Sequence, residues 1–68
     1  MSYAVVFEKA GAGWSAYVPD LPGCVAAGRT RVETERLIQE AVTLHVAALR
    51  ASNEPVPEPR TWTKTVAL

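Results

Sequence analysis

The sequence predicts an α+β fold in the order βββαβ, with a four-stranded mixed sheet and one helix on one face of that sheet. Short apolar segments separated by glycine- and proline-containing turns indicate strands before residue 30. Apolar residues at three- and four-residue spacing then indicate one long helix. An alternating segment after a run of spaced prolines indicates a last strand, which returns to the sheet through the helical crossover.

The first two strands are predicted at residues 3–8 and 14–18, where aromatic and β-branched residues are frequent. Gly11 and Gly13 lie between them and are typical of a hairpin loop. Two-residue alternation gives the first strand apolar residues on both faces. One helix can cover only one face of the sheet, so we expect the uncovered face to need a partner.

The third strand is predicted at residues 24–27, closed by Gly28. It follows residues 19–23, which contain two prolines and a glycine. Proline has no N–H to donate to a sheet, so this segment is predicted to be a turn or a kinked connection.

The helix is predicted at about residues 31–51. Thr30 followed three residues later by Glu33 is a capping box, in which each side chain accepts a hydrogen bond from the backbone near the other. The apolar stripe consists of Val32, Leu37, Ile38, Ala41, Val42, Leu44, His45, Ala48 and Leu49. Ser52, Asn53 and the alternate prolines from residue 55 to residue 59 are predicted to end the helix and to form a stiff crossover.

The fourth strand is predicted at residues 61–67. Trp62, Val66 and Leu68 fall on one side of this segment and threonines on the other.

The chain length of 68 residues predicts a single domain, residues 1–68. With 49% hydrophobic and 21% charged residues it has the composition of a globular protein. A core this small usually needs a disulfide, a metal or self-association, and one cysteine with one histidine provides neither of the first two. We therefore expect a homo-oligomer, a dimer or a tetramer, with Tyr3, Tyr17 or Trp62 as aromatic anchors in its interface.

Seven basic and seven acidic residues give zero net charge, which disfavours direct binding to nucleic acid. No apolar run approaches the roughly 20 residues of a membrane span, so no membrane association is expected. The lack of a cysteine framework agrees with a cytoplasmic location.

Motifs for phosphate, dinucleotide or metal binding are not found in the sequence. Cys24 could be pictured as a nucleophile with His45 as its base. A lone cysteine on a buried strand is more often a small packing residue, and a histidine beside an apolar helix stripe is more often packed. We expect no catalytic residues, no metal site, no cofactor and no enzymatic activity.

The stretch Trp14-Ser15-Ala16-Tyr17-Val18-Pro19-Asp20-Leu21-Pro22-Gly23-Cys24, the helix start Gly28-Arg29-Thr30 and the helical Glu40-Ala41 together resemble the HicB-like antitoxins. In that family a W-x-A-x-V-P-D-L-P-G-C stretch, a G-x-T helix start and a proline-rich exit occur in this order. The resemblance covers nearly the whole chain. It implies a partial ribonuclease-H-like βββαβ fold that sequesters a HicA toxin, a small ribonuclease with a catalytic histidine.

The function implied by this resemblance is neutralisation of an mRNA-cleaving HicA-type toxin by covering its active site. The alternative is an orphan homo-oligomeric HicB-like domain that binds a small ligand or another protein. Nuclease activity is not carried over, because two-metal chemistry needs a carboxylate cluster and the strand region offers only Glu8 and Asp20. Full-length HicB proteins usually continue into an operator-binding segment, and we expect no DNA-binding domain in this chain.

Toxin contacts are predicted at exposed acidic residues, because the toxin surface is built to hold RNA. Asp20 ranks first, since it stands beside Leu21 on a rigid turn bounded by prolines. Glu8, Glu33 and Glu35 are the other candidates.

Overall fold

The computed structural model describes all 68 residues. Three strands, β1 (Val6–Ala10), β2 (Gly13–Tyr17) and β3 (Val25–Gly28), precede one helix, α1 (Arg31–Ala51). The strands form an antiparallel sheet in the order β1-β2-β3. The α+β class, the order of these four elements and the predicted helix bounds are confirmed.

The β1–β2 hairpin closes through a two-residue loop, because Ala10 pairs with Gly13 across it. Gly11, the first residue of the loop, has a φ of 58°. Short hairpin loops need such a left-handed residue, and glycine adopts this conformation without steric cost.

The connection between β2 and β3 consists of two consecutive β-turns. Leu21 N–H donates to Val18 O at 3.1 Å in the first, and Cys24 N–H donates to Leu21 O at 3.0 Å in the second. Pro22 and Gly23 occupy the centre of the second turn, where Gly23 has a φ of 84°, as a type II turn requires. Both turns therefore direct Leu21 inward, and its side chain is fully buried.

Helix α1 begins with the predicted cap in a modified form. Thr30 Oγ1 accepts a hydrogen bond from Glu33 N–H at 3.1 Å. Glu33 Oε1 accepts from Arg29 N–H at 2.9 Å, one residue before the cap, instead of from the Thr30 amide that a capping box uses. The pair still satisfies two backbone donors, so the helix start is fixed from both sides.

The end of α1 is a Schellman motif. Asn53 has a φ of 56°, and its N–H donates to Arg50 O at 3.1 Å. Glu54 N–H donates to Leu49 O at 2.9 Å, which completes the pair of reversed hydrogen bonds. Asparagine is the residue other than glycine that most readily takes this left-handed position.

The core lies between the sheet and the first half of α1, which packs on β2 and β3. Its buried apolar residues are Ala16, Val18, Leu21, Cys24 and Ile38. Partly buried residues pack against this cluster, and they are Tyr3, Val5, Phe7, Ala26, Ala41, Val42 and Val46. Gly28 permits the close approach of helix and sheet, because an added Cβ would lie 2.7 Å from Thr34 Oγ1.

The prediction of a fourth strand at residues 61–67 is wrong for this structure, in which the sheet has three strands. Residues 54–68 have no regular secondary structure, and every residue from 62 to 68 is exposed. The physical cause lies at Asp20, which binds the chain at Arg60 and Thr61 beyond the end of β2. The Thr61 amide, at the start of the predicted strand, therefore donates to Asp20 and not to a sheet edge.

The first strand also begins later than predicted, at Val6 instead of residue 3. Val6 is paired with Tyr17, the last residue of β2, and the chain then turns at Pro19. Residues 3–5 therefore extend past the strand that would pair with them.

Candidate protein-binding site

The sheet has one face without a helix, and it carries an apolar row across all three strands. Val6 is the cross-strand partner of Tyr17, and Tyr17 is the partner of Val25. Tyr17 is 41% exposed and Val25 is 65% exposed. Large apolar side chains exposed in a contiguous row are typical of a protein contact.

A second row on this helix-free face contains the acidic residue Glu8, whose partner is Ser15, followed by Ala27. Glu8 is exposed and makes no side-chain hydrogen bond or ion pair. By alternation, no lysine or arginine of the three strands points to this face. The helix-free face thus combines an apolar row at one end of the strands with an uncompensated negative charge next to it.

Asp20 binds a distant part of its own chain. Its Oδ2 accepts from Arg60 N–H at 2.9 Å and from Thr61 N–H at 3.0 Å, and its Oδ1 accepts from Thr61 Oγ–H at 2.9 Å. The backbone hydrogen bonds from Arg60 and then Thr61 lower the pKa of Asp20 below its ordinary value of 3.8. We call this arrangement the Asp20 clasp.

The other predicted toxin-contact residues occupy three different environments. Leu21 has no exposed surface and belongs to the core. Glu33 is half-buried and holds the Arg29 amide at the helix start. Glu35 is exposed on α1, on the side facing β1. Together with Glu8 on the helix-free face, these residues do not form one cluster.

A groove of about 440 Å³ lies between β1 and α1. Its walls include Tyr3, Val5 and Phe7 on the strand side and Glu35, Ile38 and Val42 on the helix side. The groove exists because α1 packs on β2 and β3 and leaves the β1 side of the sheet open. We call it the β1–α1 groove.

The three aromatic residues predicted for an oligomer interface also differ. Tyr3 is half-buried, and its hydroxyl donates to Pro57 O within the chain. Tyr17 lies in the apolar row of the helix-free face. Trp62 is 78% exposed and follows the Asp20 clasp directly. Tyr17 and Trp62 are the two that are exposed, and only Trp62 exposes more than half of its surface.

The possible nucleophile Cys24 is buried in the core, and this burial raises the pKa of its thiol. A raised pKa keeps the group in the unreactive thiol form. No three side chains of the metal-binding types lie together. α1 does not combine the length and apolar character that crossing a membrane requires.

The first strand was predicted to carry apolar residues on the face that the helix does not cover, and Val6 lies on that helix-free face beside Tyr17. Val25 lies there too, and it was not predicted to do so although two-residue alternation could have placed it. The partners of Asp20 carried no such signal, because they lie 40 and 41 residues away in the chain.

Curated relatives come from phage, archaea and bacteria. An uncharacterised 14.9 kDa protein of Haemophilus phage HP1 is 34% identical over 85% of this chain, and the chain spans only 44% of that relative. A UPF0150 protein of Thermoplasma acidophilum is 36% identical over 84% of both proteins. One from Synechocystis is 38% identical over 84% of this chain and 73% of its own length.

A solved structure described as "HicA3 and HicB3 toxin-antitoxin complex" contains a chain with the same fold. The match has a TM-score of 0.73 and 32% sequence identity, and it covers 87% of this chain and 70% of that chain. Residues 3–67 match the family described as "HicB_like antitoxin of bacterial toxin-antitoxin system". The chain therefore belongs to the HicB-like antitoxin family.

Proposed function

We propose that this chain neutralises a HicA-type mRNA-cleaving toxin by covering its active site. The observation that carries the proposal is the structural match to a chain of the HicA3 and HicB3 toxin–antitoxin complex, at 32% identity over 87% of this chain. Neutralisation by binding needs no catalytic group in the antitoxin, which agrees with an inert, buried Cys24 thiol.

The helix-free face is the surface that fits such a toxin best. A ribonuclease active site is bordered by positive charge that holds RNA phosphates. The helix-free face presents Glu8 and no basic strand residue, so its charge is complementary. Tyr17 and Val25 add exposed apolar area beside that charge. Tyrosine is frequent at the energetic centre of interfaces, because its ring buries a large area at low entropic cost.

Covering the active site blocks the reaction by excluding the substrate. A hydrogen-bonded sheet changes little in shape when a partner binds, so few degrees of freedom are lost on association. The toxin's catalytic groups then remain intact but cannot reach RNA. Relief of inhibition requires dissociation or degradation of the antitoxin.

Among the acidic candidates we place Glu8 ahead of Asp20. The Asp20 carboxylate already accepts three hydrogen bonds within the chain. Binding a toxin cation directly would compete with those bonds, whereas the Glu8 carboxylate has no such partner. Asp20 instead fixes the segment around Thr61 to its own chain.

The first prediction is that Glu8→Lys weakens toxin binding by roughly tenfold, because it places a like charge against a basic surface. The measurement is titration of a purified HicA-type toxin with the antitoxin, together with the rate of RNA cleavage. Glu54→Lys is the matched control, since it makes the same charge change on an exposed residue after α1.

Suppression of RNA cleavage by the unmodified chain, and by Glu54→Lys, is the expected result. Equal weakening by Glu8→Lys and Glu54→Lys would show a general charge effect and remove the helix-free face from the proposal. Failure of the unmodified chain to bind any HicA-type toxin would remove the proposed function itself.

A further inference from the structure

Residues 61–68 have the sequence of a strand but no strand partner. Trp62, Val66 and Leu68 alternate with threonines and an alanine, and the aromatic and β-branched residues favour sheet. Trp62 is 78% exposed and Val66 is 72% exposed. No backbone hydrogen bond joins residues 62–68 to the rest of the chain.

The whole chain also exposes more surface than a compact monomer should. A folded protein of 7.3 kDa is expected to expose about 4,200 Å². This chain exposes 5186 Å². The excess agrees with the exposure of every residue from 62 to 68.

The edge of β1 offers the place for a further strand. β1 is hydrogen-bonded only to β2, so its outer edge is free. Beside that edge runs the β1–α1 groove, with Val5, Phe7, Ile38 and Val42 in its walls. An edge strand next to an apolar groove invites strand addition, in which main-chain hydrogen bonds and alternate side chains act together.

The chain's own residues 62–68 make no backbone hydrogen bond with this edge, and the segment starts from Thr61, which is bound to Asp20. The preceding segment passes from Tyr3, in front of β1, to Asp20, beyond β2. It therefore moves away from the outer edge of β1. No glycine, proline, asparagine or aspartate occurs in residues 61–68 to reverse its direction.

We propose that a second copy of this chain supplies the missing strand: residues 61–68 of each copy pair with the outer edge of β1 of the other. Each copy then donates one strand and accepts one, which closes the assembly as a two-fold dimer. Trp62 and Val66 of one copy enter the β1–α1 groove of the other. The inference goes beyond the proposed function, because it assigns a surface other than the helix-free face on which the toxin contact is proposed.

The charges of the segment and of the groove also favour a second copy of this chain as the partner. Lys64 lies on the same side of the segment as Trp62 and Val66, by two-residue alternation. That side faces the groove, where Glu35 is exposed among apolar neighbours. Lys64 of one copy thus meets Glu35 of the other, and the interface contains this contact twice.

The first experiment deletes residues 62–68 and leaves Thr61 to complete the Asp20 clasp. Sedimentation equilibrium at micromolar concentration should give a two-chain mass for the unmodified protein and a one-chain mass for the deletion variant. Far-UV circular dichroism of the deletion variant should keep the signal of α1, since the deleted residues lie outside the helix, and should lose only the contribution of the exchanged strands. A one-chain mass for the unmodified protein, or a two-chain mass for the deletion variant, would overturn the proposal.

The second experiment reverses the charges and requires no deletion. Lys64→Glu and Glu35→Lys should each raise the dimer dissociation constant roughly tenfold, because each change acts in two symmetry-related contacts. The double variant Glu35→Lys with Lys64→Glu should restore the original value. Additive weakening in the double variant contradicts the contact. Glu40→Lys, on the same helix but outside the groove, is the matched control and should leave the dimer intact.

The two proposals fail separately. Loss of the dimer in the deletion variant with toxin binding retained supports strand exchange and leaves the toxin surface unaffected. A stable dimer that binds no toxin supports strand exchange and counts only against the proposed function.

Discussion

At Asp20 a single carboxylate fixes the end of the chain to the turn between β2 and β3. It accepts two backbone hydrogen bonds and one hydroxyl hydrogen bond. Carboxylates that accept several hydrogen bonds are stabilised in the charged form. The clasp should therefore depend on pH through this one residue.

The second prediction is that protons weaken the clasp only below the pH at which an ordinary aspartate titrates. The pKa of Asp20 is lowered in the folded state, so its contribution to stability is present above the ordinary value of 3.8 and is lost as the pH falls through the lowered pKa. The amide resonances of Arg60 and Thr61 should report this titration with a midpoint below 3.8. A midpoint at or above the ordinary value would show that the clasp does not form in solution.

Asp20→Asn is the control for this titration. Asparagine keeps the shape and one acceptor oxygen but carries no charge. The pH dependence of the Arg60 and Thr61 resonances should disappear in this variant, and the sheet should remain.

At the scale of elements, local signals predicted the helix well and the strands approximately. The start of α1 could be predicted from the Thr30 and Glu33 pair, and its end from Asn53 and the prolines that follow. Both signals are local, because these residues act on backbone groups next to them in the chain. Strand limits depend on where a partner strand ends. β2 ends at Tyr17, so β1 begins at Val6, the residue that pairs with Tyr17. Nothing in residues 3–5 themselves indicates this later start.

The third prediction concerns the contact between β3 and α1. Gly28→Ala should lower the free energy of unfolding by about 1–3 kcal/mol, because overpacked sites force neighbours to move. The added Cβ would lie 2.7 Å from Thr34 Oγ1 and 2.9 Å from Glu33 Oε1. Urea unfolding gives the measurement, with the m-value as a check on two-state behaviour.

A double-mutant cycle tests the cause of this cost. Thr34→Ala removes the hydroxyl nearest to the new methyl group, so Gly28→Ala should be less destabilising in that background. Equal costs in both backgrounds would show that crowding against Thr34 Oγ1 is not the cause, and would leave Glu33 Oε1 at 2.9 Å as the crowded neighbour.

At the scale of the whole molecule, the sequence indicated a small core and a need for association. Five apolar residues form the buried cluster, and Trp62, Val66, Leu44 and Val25 remain exposed. The fourth strand was predicted at residues 61–67 in this chain's own sheet, but residues 62–68 make no backbone hydrogen bond with that sheet. Alternation shows that a segment can form a strand, but it does not show which chain supplies the neighbouring strand.

The fourth prediction is that thermal stability depends on protein concentration. If two folded copies associate through residues 61–68, mass action raises the midpoint of unfolding as the concentration increases. Calorimetry over a hundredfold concentration range should show this rise for the unmodified chain. The variant lacking residues 62–68 should unfold at one temperature throughout, and a rise in that variant would contradict the role of the segment.

The Asp20 clasp also has a consequence for the order of folding. It joins residues 40 positions apart, whereas the hairpin and the two turns beside it join near neighbours. Long loops close late in folding, because closing them lowers the conformational entropy of the chain before the stabilising contacts have formed. The fifth prediction is that Asp20→Asn accelerates unfolding and leaves the refolding rate unchanged, as measured by the two arms of a chevron plot. The sheet and the helix would then form first and the Asp20 clasp afterwards. Residues 61–68 would therefore be free to bind a second copy after the core has formed.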